Sequence, residues 1–117
     1  MSIYVVDDNS HLCEFLACLL SSQGYMVHAF VDPEHAMEHM RSKVAPPQLL
    51  ISDYNLPKMN GVELHQAMLK YVPQIKTIII SGRNVLHETG WLPFLQKPFP
   101  PQDMLHMVQL YYPPQSD

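Results

Sequence analysis

"IYVVDDNS", residues 3–10, runs four apolar or aromatic side chains straight into two adjacent carboxylates. Four residues are too few for a helix, and Ile, Tyr and Val suit a pleated, buried strand. Two carboxylates about 4 Å apart repel by about 1 kcal/mol in bulk-water dielectric, and by more against protein. A buried strand that opens onto Asp7 and Asp8 is therefore expected to present them to something positive.

The same arrangement recurs along the chain. "MVHAF" (Met26–Phe30) reads as a second strand, and "LLIS" (Leu49–Ser52) as a third that ends in Asp53. "IKTIII" (75–80) is a fourth, ending in Ser81 and Gly82, and "PFLQ" (Pro93–Gln96) is a short fifth that runs into Lys97. Helical patterns lie between these strands. Leu12, Phe15, Leu16, Leu19 and Leu20 follow the spacing of an amphipathic helix, with Ser10 expected as N-cap and Gly24 as the C′ stop. Asp32 and Pro33 open a second helix through "DPEHAMEHMRS". A third, from about Val62 to Tyr71, puts Leu64, Met68 and Tyr71 on one stripe. The last, Asp103–Tyr112, does so with Met104, Met107, Val108 and Tyr111 before Pro113 and Pro114 stop it. Alternating strands and helices predict a parallel α/β sheet, doubly wound. Nearly continuous apolar strands predict cover on both faces.

The chain of 117 residues fits one domain, 1–117. Seven Lys or Arg stand against eleven Asp or Glu, with no run of cations, which argues against direct binding to nucleic acid. No secretory-signal pattern and no apolar run of membrane-spanning length occur, so the expectation is a cytoplasmic protein without a membrane partner. Cys13 and Cys18 are expected on different helix faces, as reduced and partly buried thiols.

In a doubly wound sheet, ligands bind outside the carboxyl ends of the strands. Asp7, Asp8, Asp53, Ser81 and Lys97 all stand at such ends. Oxygen donors of this kind suit Mg²⁺, and the lack of His or Cys among them disfavours zinc. A carboxylate beside a divalent cation and an ammonium can be a nucleophile toward a phosphoryl group. Lys97 would neutralise charge on the equatorial oxygens, and Ser81 would donate a hydrogen bond to one of them. Alone, each residue reads as a cap, a turn or a solvated charge; five together at matched strand ends read as a site.

"VVDDN", "ISDYNLPKMNG", "IIISG" and "FLQKPF", in this order, resemble the receiver domain of two-component response regulators. The likeness spans Ile3 to about Tyr112, and includes Pro57 and Gly61 placed four and eight residues after Asp53. It implies a flavodoxin-like (βα)5 fold with strand order 2-1-3-4-5. It further implies that Asp53 is the phosphoacceptor, contacted by Lys97, and that Asp7, Asp8, Asp53 and the Asn55 backbone carbonyl hold Mg²⁺. Ser81 and Phe94 would be the switch pair, and Lys97–Pro98 would be cis. The implied partners are a histidine kinase or histidine phosphotransfer protein and an unknown downstream protein; oligomeric state stays open. Such a domain is not an enzyme beyond catalysing its own phosphorylation and dephosphorylation. The alternative is a constitutive protein-interaction module whose phosphorylation site goes unused. A phosphohydrolase is disfavoured because "DYN" puts Asn55 where a second carboxylate would be needed.

One stretch departs from the pattern. Only twelve residues separate Ser81 from Phe94, too few for the fourth helix that the family carries. Gly90, Trp91 and Pro93 read as loop, so Trp91 and Leu92 are expected partly exposed on an altered signalling face. Gly61 is expected to supply backbone freedom, and Pro57 to shape the loop after Asp53. His35 and His39, four apart, are expected on a solvated helix face.

Overall fold

The computed structural model describes residues 2–42 and 44–113. Strands β1 (Ser2–Val6), β2 (Val27–Phe30), β3 (Pro47–Asp53), β4 (Lys76–Ser81) and β5 (Phe94–Gln96) form one sheet, ordered β2-β1-β3-β4-β5. All four pairings are parallel. Helices α1 (Ser10–Ser21), α2 (Pro33–Arg41), α3 (Gly61–Leu69) and α4 (Pro101–Tyr111) connect or follow them. This is the doubly wound architecture that the sequence pattern predicts, with the flavodoxin-like strand order that the resemblance implies.

The strand side chains alternate between two cores. Ile3, Val5, Leu49, Ile51, Ile78 and Ile80 meet α1 and α4 through Leu16, Leu20, Met104 and Val108. Tyr4, Val6 and Leu50 meet α2 and α3 through Met37, Met40, Leu64 and Met68. Each such side chain contributes about 1.5–3 kcal/mol through burial, so a charge at a β3 position such as Leu50 would break the fold. The short edge strand β5 exposes little unpaired backbone.

Several local expectations change. The N-cap of α1 is Asn9, not Ser10: its side chain accepts from the backbone N–H groups of His11 and Leu12. At the other end Gly24 N–H donates to Ser21 and Tyr25 N–H to Leu20, a Schellman pattern, with Gly24 at φ +93°. Tyr71 lies beyond α3 and is exposed, because the helix ends at Leu69. Cys18 is exposed, whereas Cys13 is buried under the site, its thiol donating to Asp7 O at 3.2 Å. Both cysteines are free.

His39 does not stand on a solvated face. It packs among Tyr4, Phe30 and His28, 4.6 Å from the His28 ring, while His35 is exposed. Helical periodicity on α2 points His39 toward β2, a contact that the spacing from His35 could not reveal. Burial and the neighbouring His39 hold the His28 imidazole below its usual pKa. Of the expected Pro113–Pro114 stop, residue 114 lies outside the described residues, as does the tail that follows it.

Candidate functional site

The sheet brings the strand-end residues together. Asp7, Asp8 and Asp53 offer carboxylate oxygens all within 4.8 Å of one another. Asp7 is fully buried, Asp53 nearly so, and Asp8 exposed. Lys97 Nζ donates to Asp7 Oδ2 at 2.8 Å and lies 3.6 Å from Asp53 Oδ2, so one ammonium bridges two carboxylates. The positive partner demanded by the acidic pair is thus supplied, in part, by the chain itself.

Backbone groups fix these side chains. Asn9 N–H donates to Asp7 Oδ1 at 2.9 Å, so the residue that caps α1 also holds Asp7. Asp53 ends β3 in register with Ile80, and Tyr54 N–H donates to Ile80 O at 2.8 Å. Lys97 N–H donates to Ser81 O at 2.7 Å, tying the end of β5 to β4. The Lys97–Pro98 peptide is cis, as the resemblance implied. Ser81 is buried, and its hydroxyl accepts from Arg83 N–H at 3.3 Å. Phe94 is half-buried on β5, and Asn55 is exposed, bridged to Asn60 across the loop.

The electrostatics follow from this crowding. Burial, then the Asp7 charge, push Asp53 above the usual carboxylate pKa; Lys97 and a backbone hydrogen bond from Asn55 oppose them. Burial disfavours the Lys97 ammonium, but the Asp7 hydrogen bond and charge outweigh it, so its pKa is raised. Lys97 is therefore charged wherever the site operates.

Gly61 is needed for space rather than for backbone freedom. It begins α3 with Asn60 as N-cap in a capping box with Glu63. A Cβ there would stand 2.6 Å from Asp53 O and 3.0 Å from Ser52 Oγ. The left-handed residue of this loop is instead Lys58, at φ +71°. Two residues beside the site had no role assigned from the sequence: Asn9, the last residue of "VVDDN", and Ser52, whose hydroxyl donates to Asp53 O at 2.9 Å from inside an apolar run. Tyr54 and Arg83 flank the site, with the Arg83 guanidinium 5.5 Å over the Tyr54 ring.

A family model, the response regulator receiver domain, matches residues 3–109. The chain belongs to this family. Among curated relatives, the transcriptional regulatory protein CssR of Bacillus subtilis is 33% identical over 115 residues, 92% of this chain and 49% of that protein. The receiver domain of hybrid histidine kinase CckA is 29% identical with a TM-score of 0.81, covering 95% of this chain and 98% of that one. Chemotaxis protein CheY4 of Vibrio cholerae, 23% identical, shares the fold with a TM-score of 0.83 over 94% of this chain and 97% of its own. This receiver domain spans 18%, 49% and 24% of the length of three curated relatives. Among the described residues no helix is long and apolar enough to cross a membrane.

The segment between β4 and β5 departs as the residue count requires. Its only helical element is a 3-10 turn, Leu86–Glu88. Val85 and Thr89 are buried, Leu92 is half-buried and Trp91 is fully exposed. The donor set at the other strand ends fits Mg²⁺: three clustered carboxylates, hard oxygen ligands, with no imidazole or thiolate among them.

Proposed function

We propose that this receiver domain is a phosphoacceptor switch in a two-component or phosphorelay system. The observation that carries the reading is Lys97 Nζ lying within 3.6 Å of Asp53 Oδ2 in a pocket walled by Asp7 and Asp8. The donor would be a histidine kinase or histidine phosphotransfer protein. An Asp53 oxygen attacks phosphorus, the P–O bond forms as the P–N bond breaks, and the leaving imidazole takes a proton from solvent. Burial makes the Asp53 carboxylate more basic and so a better nucleophile.

Asp7, Asp8, Asp53 and the Asn55 carbonyl would hold Mg²⁺, which supplies charge neutralisation on the phosphoryl oxygens when bound. Lys97 meets one oxygen of the transferred group, and Ser81, whose hydroxyl proton is not used by Arg83, donates to another. Those contacts draw Ser81 toward the new anion, and Phe94 follows inward on the neighbouring strand, biasing two arrangements of this face. The domain catalyses only the gain and loss of its own phosphoryl group.

The competing reading, a constitutive interaction module, draws support from the three-residue turn where a signalling helix would stand. Beryllofluoride, a phosphoryl mimic, separates the two by NMR. The switch predicts Mg²⁺-dependent shifts at the amides of Ser81, Phe94 and Lys97; a spectrum unmoved by the mimic favours the constitutive module.

A further inference from the structure

At the edge of the sheet away from β5, β2 and α2 carry His28, His35 and His39, which the phosphoryl chemistry does not use. β2 is the edge strand and pairs with β1 alone. His35 and His39 lie one turn apart on α2, the spacing at which two histidines can share a metal ion. What the sequence lacked was a third donor. The fold supplies it from β2: the His28 ring centre lies 4.6 Å from that of His39, with 42° between the ring planes.

Among the described residues, His28 Nε2 and His39 Nε2 are the only buried side-chain nitrogen or oxygen atoms without a hydrogen-bond partner in the protein. A buried polar atom left unpaired costs about 1–3 kcal/mol, and two of them on neighbouring rings call for one shared explanation. The aromatic side chains around them do not supply it. Tyr4 packs edge-on against both rings, at 5.8 and 5.7 Å, and Phe30 lies 5.5 Å from His39. The Tyr4 hydroxyl already donates to Ala45 O at 2.7 Å. The ring separation suits a cation instead. Two imidazoles on one tetrahedral ion, each bound at about 2.0–2.1 Å, hold their ring centres about 5 Å apart. Imidazole nitrogen selects Zn²⁺ and its neighbours over the Mg²⁺ that the carboxylates suit.

We propose that His28, His39 and His35 form a site for a divalent transition cation of the Zn²⁺ class, which tethers the edge strand β2 to α2. Tyr4 and Phe30 hold the His28 and His39 rings in place. His35 is exposed and joins them from one turn away, with water as the fourth ligand. Its arm closes only on binding: among the described residues, Asp7, Asp8 and Asp53 are the only set of three whose ligand atoms already lie within 4.8 Å of one another. The site goes beyond the switch reading and does not depend on phosphorylation.

Titration of the whole chain with Zn²⁺ reads the site directly, against a chromophoric chelator and in excess Mg²⁺ to fill the carboxylate cluster. The expected result is one Zn²⁺ bound with a Kd of about 10 µM or tighter. The ring-proton NMR signals of His28, His35 and His39 shift with it, while those of His106 on α4 stay in place. His28→Gln, His39→Gln and His35→Gln each weaken binding by about tenfold or more, and His106→Gln leaves it unchanged. His35→Gln lies at an exposed position, so the test stands even where a partly buried variant fails to fold. Binding no tighter than about 1 mM, with the ring signals unmoved, overturns the proposal and leaves the pair as an aromatic contact. Tight binding that persists undiminished in His28→Gln and His35→Gln also overturns it and puts the ion elsewhere.

Discussion

The carboxyl ends of β1, β3 and β5 and the connection between β4 and β5 are built on opposite terms. At the strand ends each functional side chain is held by sheet register plus a backbone hydrogen bond: Asn9 N–H for Asp7, the Ile80 carbonyl for the chain after Asp53, the Ser81 carbonyl for Lys97. The connection has one task, to return the chain to the start of a parallel strand, and a parallel crossover needs about a dozen residues. Twelve are present, and they spend themselves on a 3-10 turn with two buried pegs, Val85 and Thr89. The lesson is that the site does not depend on the helix that is missing. The connection can shrink to its lower limit while the carboxylates and Lys97 stay together.

That contrast can be broken by substitution. Lys97→Ala should cost the most, about 3 kcal/mol, since it strands buried Asp7 beside Asp53 without their shared cation. Urea unfolding measures it; a loss below 1 kcal/mol would mean that the pair is hydrated and the site looser than described. Gly61→Ala should cost about 2–3 kcal/mol, because its Cβ meets the Asp53 carbonyl rather than a movable side chain. It should also slow phosphorylation of Asp53, which a purely structural defect at a distance would not do.

In the connection, Val85→Ala should cost about 2 kcal/mol and Trp91→Ala no more than about 0.5 kcal/mol in dilute solution. Equal costs would show that the connection is not pegged as described. The smallest effect is pH-dependent. Burial holds His28 and His65 below their usual pKa, so the unfolded chain binds protons that the folded one resists. Stability is therefore unaffected by these groups above about pH 6.5 and falls progressively as pH drops from that value through the lowered pKa of the folded state. A His65→Gln variant should flatten the slope.

Much of this was legible in the residues. Polar groups that stop continuous apolar runs marked every strand end that matters, because a parallel sheet buried on both faces admits earlier polar residues only where they find hydrogen-bond partners, as Ser52 and Thr77 do. The short connection was legible from counting alone. What escaped was geometry that spacing does not encode. Asn9 and Ser10 are both good caps, and only the chain's path chose Asn9. Gly61 looked like a conformational glycine, but the constraint is a carbonyl from another segment. His39 looked solvated because its partners, Tyr4 and His28, come from the sheet. The acidic pair showed that a cation was required, yet not that Lys97 would approach Asp7 more closely than Asp53.

The central claim is that Asp53 accepts a phosphoryl group. Intact mass after incubation with a small acyl phosphate, with and without Mg²⁺, tests it most directly on the unmodified chain and on Asp53→Asn. The account predicts a gain of one phosphoryl group only with Mg²⁺ and only when Asp53 is present. A gain that survives in Asp53→Asn, or the absence of any gain even from a cognate histidine kinase, would contradict it.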